Sequence, residues 1–263
     1  MPDINEKRVA EYWDDNAPVW GDQVRKGHDV HREAVNNPAM FALLGEVTGK
    51  AVLDAGCGEG YNTRKLAARG AHVTGLDISA AMIGQAREEE RKNQMGIEYV
   101  VGSFSRMPFF QDHSFDLAVS FMALMDGPDY EGAVREIYRV LKPGGELTFS
   151  VSHPCFLTPG LGYIKDEAGK RVKLTVGGYF CREPYVERWK FVASPEAASL
   201  PMFSVPRFPR TLGGYLNPLL ETGFQLLRLN EPCPKEEACR LHPSLHTERD
   251  IAPIFLHVKA RKI

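Results

Sequence analysis

Residues 51–60, with the sequence AVLDAGCGEG, constrain the fold of this chain most strongly. The apolar run at the start of this segment is typical of a buried parallel strand, and Asp54 carries a carboxylate into the loop that follows. The glycines of that loop are Gly56, Gly58 and Gly60, and they permit a tight turn and a close approach of the backbone to a ligand. The segment therefore predicts a strand followed by a loop that binds a nucleotide-like ligand.

A second carboxylate follows at a spacing that fits such a ligand. Residues 61–69 are predicted to form a helix that Gly70 ends, and residues 71–77 an apolar strand that ends at Asp77, 23 residues after Asp54. In a strand–loop–helix–strand unit this spacing places Asp77 beside the glycine loop, where it can accept hydrogen bonds from both hydroxyls of a ribose. We therefore expect Asp77 to bind a ribose.

The glycine pattern and the local charge distinguish two classes of ligand. A dinucleotide loop has the pattern G-x-G-x-x-G, which seats a diphosphate on the helix N-terminus. Here the pattern is G-x-G-x-G, and Tyr61 occupies the position of the third glycine. Asp54 and Glu59 would repel a diphosphate but suit an amine or a sulfonium cation. The sequence therefore favours an adenosyl ligand with an amino acid part over a dinucleotide.

The motif D-x-G-C-G-x-G at residues 54–60 resembles the first motif of the class I S-adenosylmethionine-dependent methyltransferases, and the small-molecule bacterial type in particular. Later segments follow the order of this family: strands at 97–101 and 114–120, an amphipathic helix at 133–141, the sequence LKPGG, and a fifth strand at 146–151. A helix at 212–222 and strands at 224–229 and 252–260 complete the pattern. The resemblance implies an α/β fold with a Rossmann-like, doubly wound, mostly parallel sheet and an antiparallel last strand.

The same resemblance implies S-adenosyl-L-methionine as the cofactor, with its methionine part near Asp54 and its ribose on Asp77. Residues 102–109 are similar to the family's stretch that closes over the adenine, but Ser103 stands where the family usually has Asp. A backbone contact at Phe104 and ring packing could replace that carboxylate. The predicted cofactor-binding residues are Tyr12, Trp20, Asp54, Gly56, Gly58, Gly60, Asp77, Ile78, Ser103, Phe104, Ser120 and Phe121.

We predict a single methyltransferase domain over residues 1–263, with a helical N-terminal cap at 1–50, a core at 51–152 and 209–263, and an insertion at 153–208. In the cap, a helix at 6–15 is expected to break at residues 17–20, before a second helix at about 31–44. The rings of Tyr12, Trp13 and Trp20 resemble an aromatic lid over the cofactor. Alternatively, they only pack the cap onto the sheet.

The insertion is the predicted cover of the substrate, because ligands of open α/β sheets lie beyond the carboxyl ends of the strands. Aromatic-rich segments at 161–163, 172–180 and 185–191 favour short strands. Tyr163, Tyr179 and Arg210 are candidate substrate contacts, although Arg210 could equally cap a loop. His153 is the candidate general base for an acceptor that arrives protonated. Its alternative role is a hydrogen bond to the turn before Pro154.

A zinc site is the competing interpretation of Cys233, Cys239, His242 and His246. The first spacing is longer than zinc sites usually have, and neighbouring prolines favour an irregular connector, so we expect no metal. The formal charge of −2, with acids and bases interspersed, argues against nucleic acid as a partner. The polar start of the sequence and the lack of a long apolar run predict no signal peptide and no membrane partner.

Five cysteines without a scaffold pattern indicate a reducing cytoplasm, and the sequence also allows a homodimer. The predicted function is methyl transfer from S-adenosyl-L-methionine to a small-molecule acceptor by in-line SN2 displacement. Two alternatives stay open. One is a regulatory protein that binds an adenosyl ligand without catalysis, and the other is a methyltransferase that acts on RNA or protein.

Overall fold

Short apolar runs of the sequence form the strands of a central sheet in the computed structural model, which describes residues 4–191 and 199–263. The strands of this sheet are β1 (Ala51–Ala55), β2 (His72–Asp77), β3 (Glu98–Val101), β4 (Phe115–Phe121), β5 (Leu141–Ser152), β10 (Phe224–Asn230) and β11 (Phe255–Lys262). Four shorter strands lie between β5 and β10 in sequence: β6 (Gly162–Lys165), β7 (Arg171–Thr175), β8 (Tyr185–Trp189) and β9 (Phe203–Arg207).

The helices of the described residues are α1 (Glu6–Arg25), α2 (Asn37–Leu44), α3 (Tyr61–Ala67), α4 (Ala80–Lys92), α5 (Tyr130–Val140), α6 (Leu212–Thr222), α7 (Glu236–Leu241) and α8 (His246–Asp250). Five of these eight helices lie where the sequence predicts helices, and α4, α7 and α8 were not predicted. A π-helical turn, Arg32–Asn36, leads directly into α2.

The central sheet has the strand order β10-β11-β5-β4-β1-β2-β3. Strands β1 to β5 pair in parallel, and β11 is antiparallel to both of its neighbours, β5 and β10. This arrangement confirms the predicted Rossmann-like, doubly wound sheet with an antiparallel last strand. The strand order reverses between β1 and β4, and the crevice beyond the carboxyl ends of these strands is where such sheets bind ligands.

Alternation along the strands separates two apolar layers. On one face, Leu53 and Phe149 pack with Ile137 of α5 and Leu219 of α6. On the other face, residues such as Val52 pack with α2 and α3. Both faces of the sheet are therefore covered, which leaves the carboxyl edge of the parallel strands as the accessible part of the core.

The cap differs from the prediction at Pro18, because α1 continues through this residue instead of breaking there. A proline inside a helix costs about 3 kcal/mol, so other contacts must offset that cost. Trp20, two residues further along, packs its ring against Trp13, Trp189 and Phe203 with centroid distances of 5.2, 5.8 and 5.0 Å. The packing of these rings explains why the helix persists.

The insertion forms two antiparallel pairs, β6 with β7 and β8 with β9. The sequence analysis did not predict β9, which contains Pro206. Strand β9 contacts the cap directly, because the Asn16 side-chain amide donates to the Ser204 carbonyl over 2.9 Å. The insertion and the cap therefore form one continuous cover.

The segment around the cysteines and histidines contains α7 and α8, so its prediction as an irregular connector is wrong. Cys239 is buried with Val35, Leu245 and Phe255, where it packs as a small apolar side chain. Across residues 4–191 and 199–263, no group of three or more His, Cys, Asp or Glu side chains is arranged to hold a metal ion. In the same part of the chain, every helix is too short or too polar to cross a membrane.

Candidate cofactor cleft and acceptor cavity

The three glycines of the loop after β1 have different structural roles. A Cβ atom on Gly56 would lie 2.2 Å from the Cβ of Ala123, and one on Gly60 would lie 2.3 Å from the Tyr99 hydroxyl, so both positions need glycine for packing. A Cβ on Gly58 would meet nothing within 4 Å. Gly58 is therefore the position where the loop backbone can approach a ligand closely.

A cleft of about 900 Å³, including its mouth, opens beside this loop at the carboxyl ends of β1, β2 and β4. We call it the cofactor cleft. Its walls come from the cap, the glycine loop and the segments after β2, β3 and β4. The lining residues are Glu6, Val9, Trp13, Trp20, Arg32, Asp54, Gly56, Cys57, Gly58, Glu59, Tyr61, Asn62, Asp77, Ile78, Met82, Ser103, Phe104, Phe121, Met122, Ala123, Asp126, Gly127 and Pro128.

Acceptor oxygens without donors mark one end of the cofactor cleft. Asp54 is buried, and its Oδ2 accepts a hydrogen bond of 2.7 Å from the Thr63 hydroxyl. Within residues 4–191 and 199–263, Asp54 Oδ1, Glu59 Oε1 and Asn62 Oδ1 are buried and have no hydrogen-bond partner. Each unsatisfied group costs about 1–3 kcal/mol. A ligand with an ammonium group, which carries three donors, would satisfy them.

Asp77 lies at the end of β2 and is fixed by the backbone. Its Oδ2 accepts from the Gly58 N–H over 2.8 Å and its Oδ1 from the Ser79 N–H over 2.9 Å. Each oxygen keeps a second lone pair for a ligand hydroxyl. Burial raises the pKa of Asp77 to about 6 and the pKa of Asp54 to about 7. A ligand that brings hydrogen-bond donors or positive charge would therefore stabilise the ionised form of both carboxyls.

The lining of the cofactor cleft contains more acidic than basic side chains. Arg32, from the π-helical turn, is the only Lys or Arg that lines it within the described part of the chain. The lining carboxylates are Glu6, Asp54, Glu59, Asp77 and Asp126. Arg32 Nη2 is buried without a hydrogen-bond partner among the described residues, although Nε lies 3.5 Å from Asp29. Such a cleft suits a ligand with cationic groups and one carboxylate, and it disfavours a diphosphate.

Comparisons with known proteins agree with this geometry. The family model of a methyltransferase domain matches residues 53–149. A solved S-adenosylmethionine dependent methyltransferase from Mesorhizobium loti is 32% identical, with 86% of this chain and 96% of that chain covered and a TM-score of 0.71. This chain belongs to the class I S-adenosylmethionine-dependent methyltransferase family.

Curated relatives match over shorter stretches. A malonyl-[acyl-carrier protein] O-methyltransferase of Erwinia billingiae is 42% identical over 102 residues, which are 39% of this chain and 39% of that protein. A ubiquinone biosynthesis O-methyltransferase of Pseudomonas putida is 29% identical over 153 residues, which are 57% of this chain and 64% of that protein. The alignments with such relatives cover between 27% and 64% of the relatives' own length.

In this methyltransferase, most of the predicted cofactor residues meet at the cofactor cleft. The predicted residues that line it are Trp20, Asp54, Gly56, Gly58, Asp77, Ile78, Ser103, Phe104 and Phe121. The cofactor of the family, S-adenosyl-L-methionine, fits this lining. It has an ammonium group for the unpaired oxygens near Asp54, a ribose for Asp77, and a carboxylate for Arg32.

Three predicted cofactor residues lie outside the lining and are corrected here. The ring of Tyr12 lies under the Arg8 guanidinium, 5.2 Å from centroid to Cζ, because Tyr12 and its neighbour Trp13 are on different sides of α1. Gly60 faces Tyr99 instead of the cleft. Ser120 is fully buried, because side chains alternate along β4 and Phe121 takes the position in the wall.

Other lining residues were missed by the sequence analysis. Glu6 and Val9 lie three residues apart on α1, and Val9 lies four residues before Trp13 of the predicted lid, so helical periodicity was a signal that could have found this stripe. Arg32 and Asp126 carried no local signal, because tertiary packing alone brings them to the cleft.

A second cavity, of about 2050 Å³ including its mouth, adjoins the cofactor cleft. We call it the acceptor cavity. The cap and the insertion supply most of its walls, among them Trp189, Phe191 and Tyr185. The two spaces share a wall of six residues: Trp13, Trp20, Arg32, Phe121, Met122 and Asp126. Met122 has φ +57, a rare conformation for a non-glycine residue, and it turns the chain directly after β4.

Asp126 is the only carboxylate of the shared wall within the described residues. Its Oδ1 accepts a hydrogen bond of 2.6 Å from Arg207, whose Nε in turn donates to Glu187 over 2.7 Å. Burial raises the pKa of Asp126 to about 6 even though Arg207 opposes that shift. A carboxylate held in this way at the junction of the two spaces can accept a proton near neutral pH.

His153 is corrected as a candidate base, because it lines neither space, whereas its neighbours Ser152 and Pro154 line the acceptor cavity. Its Nδ1 accepts from the Cys155 N–H over 3.2 Å, so Nε2 carries the proton and donates to Glu231 over 2.6 Å. Burial lowers the pKa of His153. Both ring nitrogens are therefore engaged in the turn at the end of β5.

The predicted substrate contacts Tyr163, Tyr179 and Arg210 all line the acceptor cavity. The Tyr179 hydroxyl accepts from the Leu212 N–H over 3.1 Å. The Arg210 guanidinium donates to the carbonyls of Gly127 and Pro128 over 2.7 and 3.1 Å. Arg210 thus holds the loop that carries Asp126. Its N–H donors bind backbone carbonyls, as the alternative role of a loop cap predicts.

Proposed function

We propose that this methyltransferase acts on a small-molecule acceptor that binds in the acceptor cavity. The observation that carries the proposal is the wall shared by the two spaces, because an acceptor in one then lies next to a methyl donor in the other. Small-molecule sites are typically concave and lined by aromatic residues with a few polar groups, and the acceptor cavity has this character. The division of the chain into cap, core and insertion is part of this proposal.

When bound, S-adenosyl-L-methionine supplies a methyl group already activated on a sulfonium. The protein then has to align the acceptor and exclude water, and good alignment lowers a barrier by several kcal/mol, up to about 7–11. Asp54, Glu59 and Asn62 would hold the ammonium group of this cofactor, and Asp77 would hold its ribose hydroxyls. Trp13 and Trp20 of the shared wall keep water from the junction.

Asp126 is the group that we propose to accept a proton from the acceptor. It replaces His153 in this role, because it lies at the junction and His153 does not. Arg207 and Glu187 hold the carboxylate in place. A hydroxyl acceptor, or an amine that arrives as an ammonium ion, needs such a base, whereas a carboxylate acceptor does not.

The curated relatives are named for different acceptors and do not fix the identity of this one. One is named for malonyl-[acyl-carrier protein] and another for ubiquinone biosynthesis. A methyltransferase for RNA or folded protein needs an open groove, whereas here strands β8 and β9 and helix α1 pack together over the core. The packing of this cover favours the small-molecule acceptor.

A labelled-methyl assay tests the proposal. The protein is incubated with S-adenosyl-L-methionine that carries a labelled methyl group, against panels of metabolites, transfer RNA and proteins. We expect saturable labelling of at least one metabolite. Labelling of RNA or protein alone would favour the macromolecular alternative. Tight binding of S-adenosylhomocysteine without any acceptor would favour a regulatory protein.

A further inference from the structure

The adenine end of the cofactor cleft contains a carboxylate that comes from an unexpected part of the chain. Ser103, after β3, has no carboxylate of its own, but Glu6 of α1 lies against it and lines the same cleft. The two residues are 97 positions apart in the sequence. The cap therefore delivers an acidic group to a position that the core leaves neutral.

The hydrogen bonds of Glu6 leave one oxygen available. Its Oε1 accepts from the Ser103 hydroxyl over 2.6 Å and also from the Ser105 hydroxyl. Oε2 accepts no hydrogen bond from residues 4–191 and 199–263. Both serine hydroxyls thus orient the carboxylate, and its second oxygen remains free for a donor on a ligand.

The surroundings of Glu6 suit a flat, largely apolar ring with one amine at its edge. Val9 and Ile78 pack together in one apolar cluster, and both line the cofactor cleft with Phe104. The carboxylates near the glycine loop are at the end of β1 and β2, where the ammonium group and the ribose are expected. An adenine amine at the opposite end needs an acceptor, and Glu6 is the only carboxylate that the described part of the cap contributes to the lining.

We propose that Glu6 accepts a hydrogen bond from the exocyclic amine of adenine and so selects an adenosyl cofactor. Glu6 would then connect the packing of the cap on the core to recognition of the base. This inference concerns the cofactor and does not depend on the identity of the acceptor.

Glu6 could also have a purely structural role, and an experiment has to distinguish that role from recognition of the adenine amine. The same hydrogen bonds also fasten α1 to the loop after β3, and the loss of that contact would weaken the binding of any ligand. Selectivity between two bases distinguishes the roles, because a fastening contact affects both ligands equally. S-inosylhomocysteine is the suitable probe, because it differs from S-adenosylhomocysteine in carrying a carbonyl oxygen in place of the amine and a proton on the adjacent ring nitrogen.

The test is calorimetric titration of both ligands into the wild type, Glu6→Gln and the matched control Glu11→Gln. Glu11 lies on the same helix, is exposed and pairs with Arg8. We expect the wild type and Glu11→Gln to prefer the adenosyl ligand by about tenfold or more, as for a charge-assisted hydrogen bond. Glu6→Gln should lose most of this preference. The double variant Glu6→Gln/Ser103→Asp should recover it, because it returns a carboxylate to the same end of the cleft.

The proposal is overturned if Glu6→Gln keeps the wild-type preference, or if it weakens both ligands by the same factor. Should Glu6→Gln not fold, Ser103→Ala/Ser105→Ala releases the carboxylate without a change in the helix, and an unchanged preference there would equally overturn it. Failure of this test leaves the proposed methyl transfer standing, because neither ligand carries a transferable methyl group.

Discussion

The cofactor cleft and the acceptor cavity leave different polar groups without hydrogen-bond partners. In the cofactor cleft, acceptor oxygens of Asp54, Glu59 and Asn62 are buried without donors from the described chain. In the acceptor cavity, Arg207 is bound to two carboxylates and Arg210 to backbone carbonyls, and neutral groups such as the Trp189 indole N–H and the Thr158 hydroxyl have no partner in the described chain. Unsatisfied groups predict the chemistry of a ligand, whereas satisfied ones hold a scaffold together. The cofactor can therefore be inferred from the structure, and the acceptor only by class.

Replacement of Asp126 should have the largest effect, and it tests whether the acceptor cavity contains chemistry as well as scaffold. Asp126→Asn can still accept a hydrogen bond from Arg207 but cannot take a proton. We expect the methyl-transfer rate with a hydroxyl or amine acceptor to fall by about 10²–10⁴-fold, with S-adenosylhomocysteine affinity within about twofold. Initial rates and titration calorimetry measure the two quantities.

The control for Asp126→Asn is Asp112→Asn. Asp112 also pairs with an arginine, Arg139, but is mostly exposed and lines neither space. It should leave the rate unchanged. If Asp126→Asn transfers methyl at the wild-type rate, the carboxylate is only part of the scaffold.

Replacement of Asp77 should have the next largest effect, on the affinity of the cofactor cleft for its ligand. Asp77→Ala removes both the ribose acceptor and the anchor of the Gly58 and Ser79 N–H groups. We expect S-adenosylhomocysteine to bind at least about 100-fold more weakly, since two hydrogen bonds to a carboxylate are lost. Equilibrium titration measures this change, and intact affinity would remove the ribose assignment.

The two spaces also differ in how far the sequence predicts them. Asp54, the glycine loop and Asp77 belong to one contiguous unit, so strand, turn and spacing rules place them correctly. Glu6, Arg32 and Asp126 come from distant segments, and only the packed cap brings the first two to the cleft. Side-chain type made His153 a good candidate base, but alternation at the end of β5 directs Ser152 and Pro154 to the cavity instead. Likewise, ring packing around Trp20 outweighed the helix-breaking tendency of Pro18.

The affinity of the cofactor cleft for S-adenosyl-L-methionine should rise with pH. Burial holds the pKa of Asp54 at about 7 and of Asp77 at about 6, above the ordinary value of 3.8. A cationic ligand binds the ionised carboxylates. At low pH, Asp54 and Asp77 must therefore lose their protons before the ligand binds, and this lowers the apparent affinity. We expect the affinity for S-adenosyl-L-methionine to rise roughly tenfold or more between about pH 5.5 and 8, with most of the rise below pH 7.

The stability of the ligand-free protein should change with pH in the opposite direction. The folded state binds these protons more tightly than the unfolded chain, so their contribution to stability is present at low pH and is lost as pH rises from about 4 to 7. Asp54→Asn should flatten part of both profiles. A pH-independent affinity in the wild type would contradict the assignment of buried, ionised carboxylates.

The smallest effect is expected at His153. His153→Gln disturbs the bonds to Cys155 and Glu231 but nothing that lines either space. We expect the transfer rate to stay within about threefold and the free energy of unfolding to fall by about 1–2 kcal/mol, measured by denaturant titration. A hundredfold loss of rate in a stably folded variant would return His153 to the reaction.

The central claim is that the cofactor cleft is shaped for an adenosyl ligand with an ammonium group and not for a diphosphate. Titration calorimetry of the wild type with S-adenosyl-L-methionine, S-adenosylhomocysteine and NADH tests it most directly. We expect saturable, one-to-one binding of the first two and none of NADH. Tight uptake of NADH, together with no heat from the methyl donor or its product, would contradict the claim.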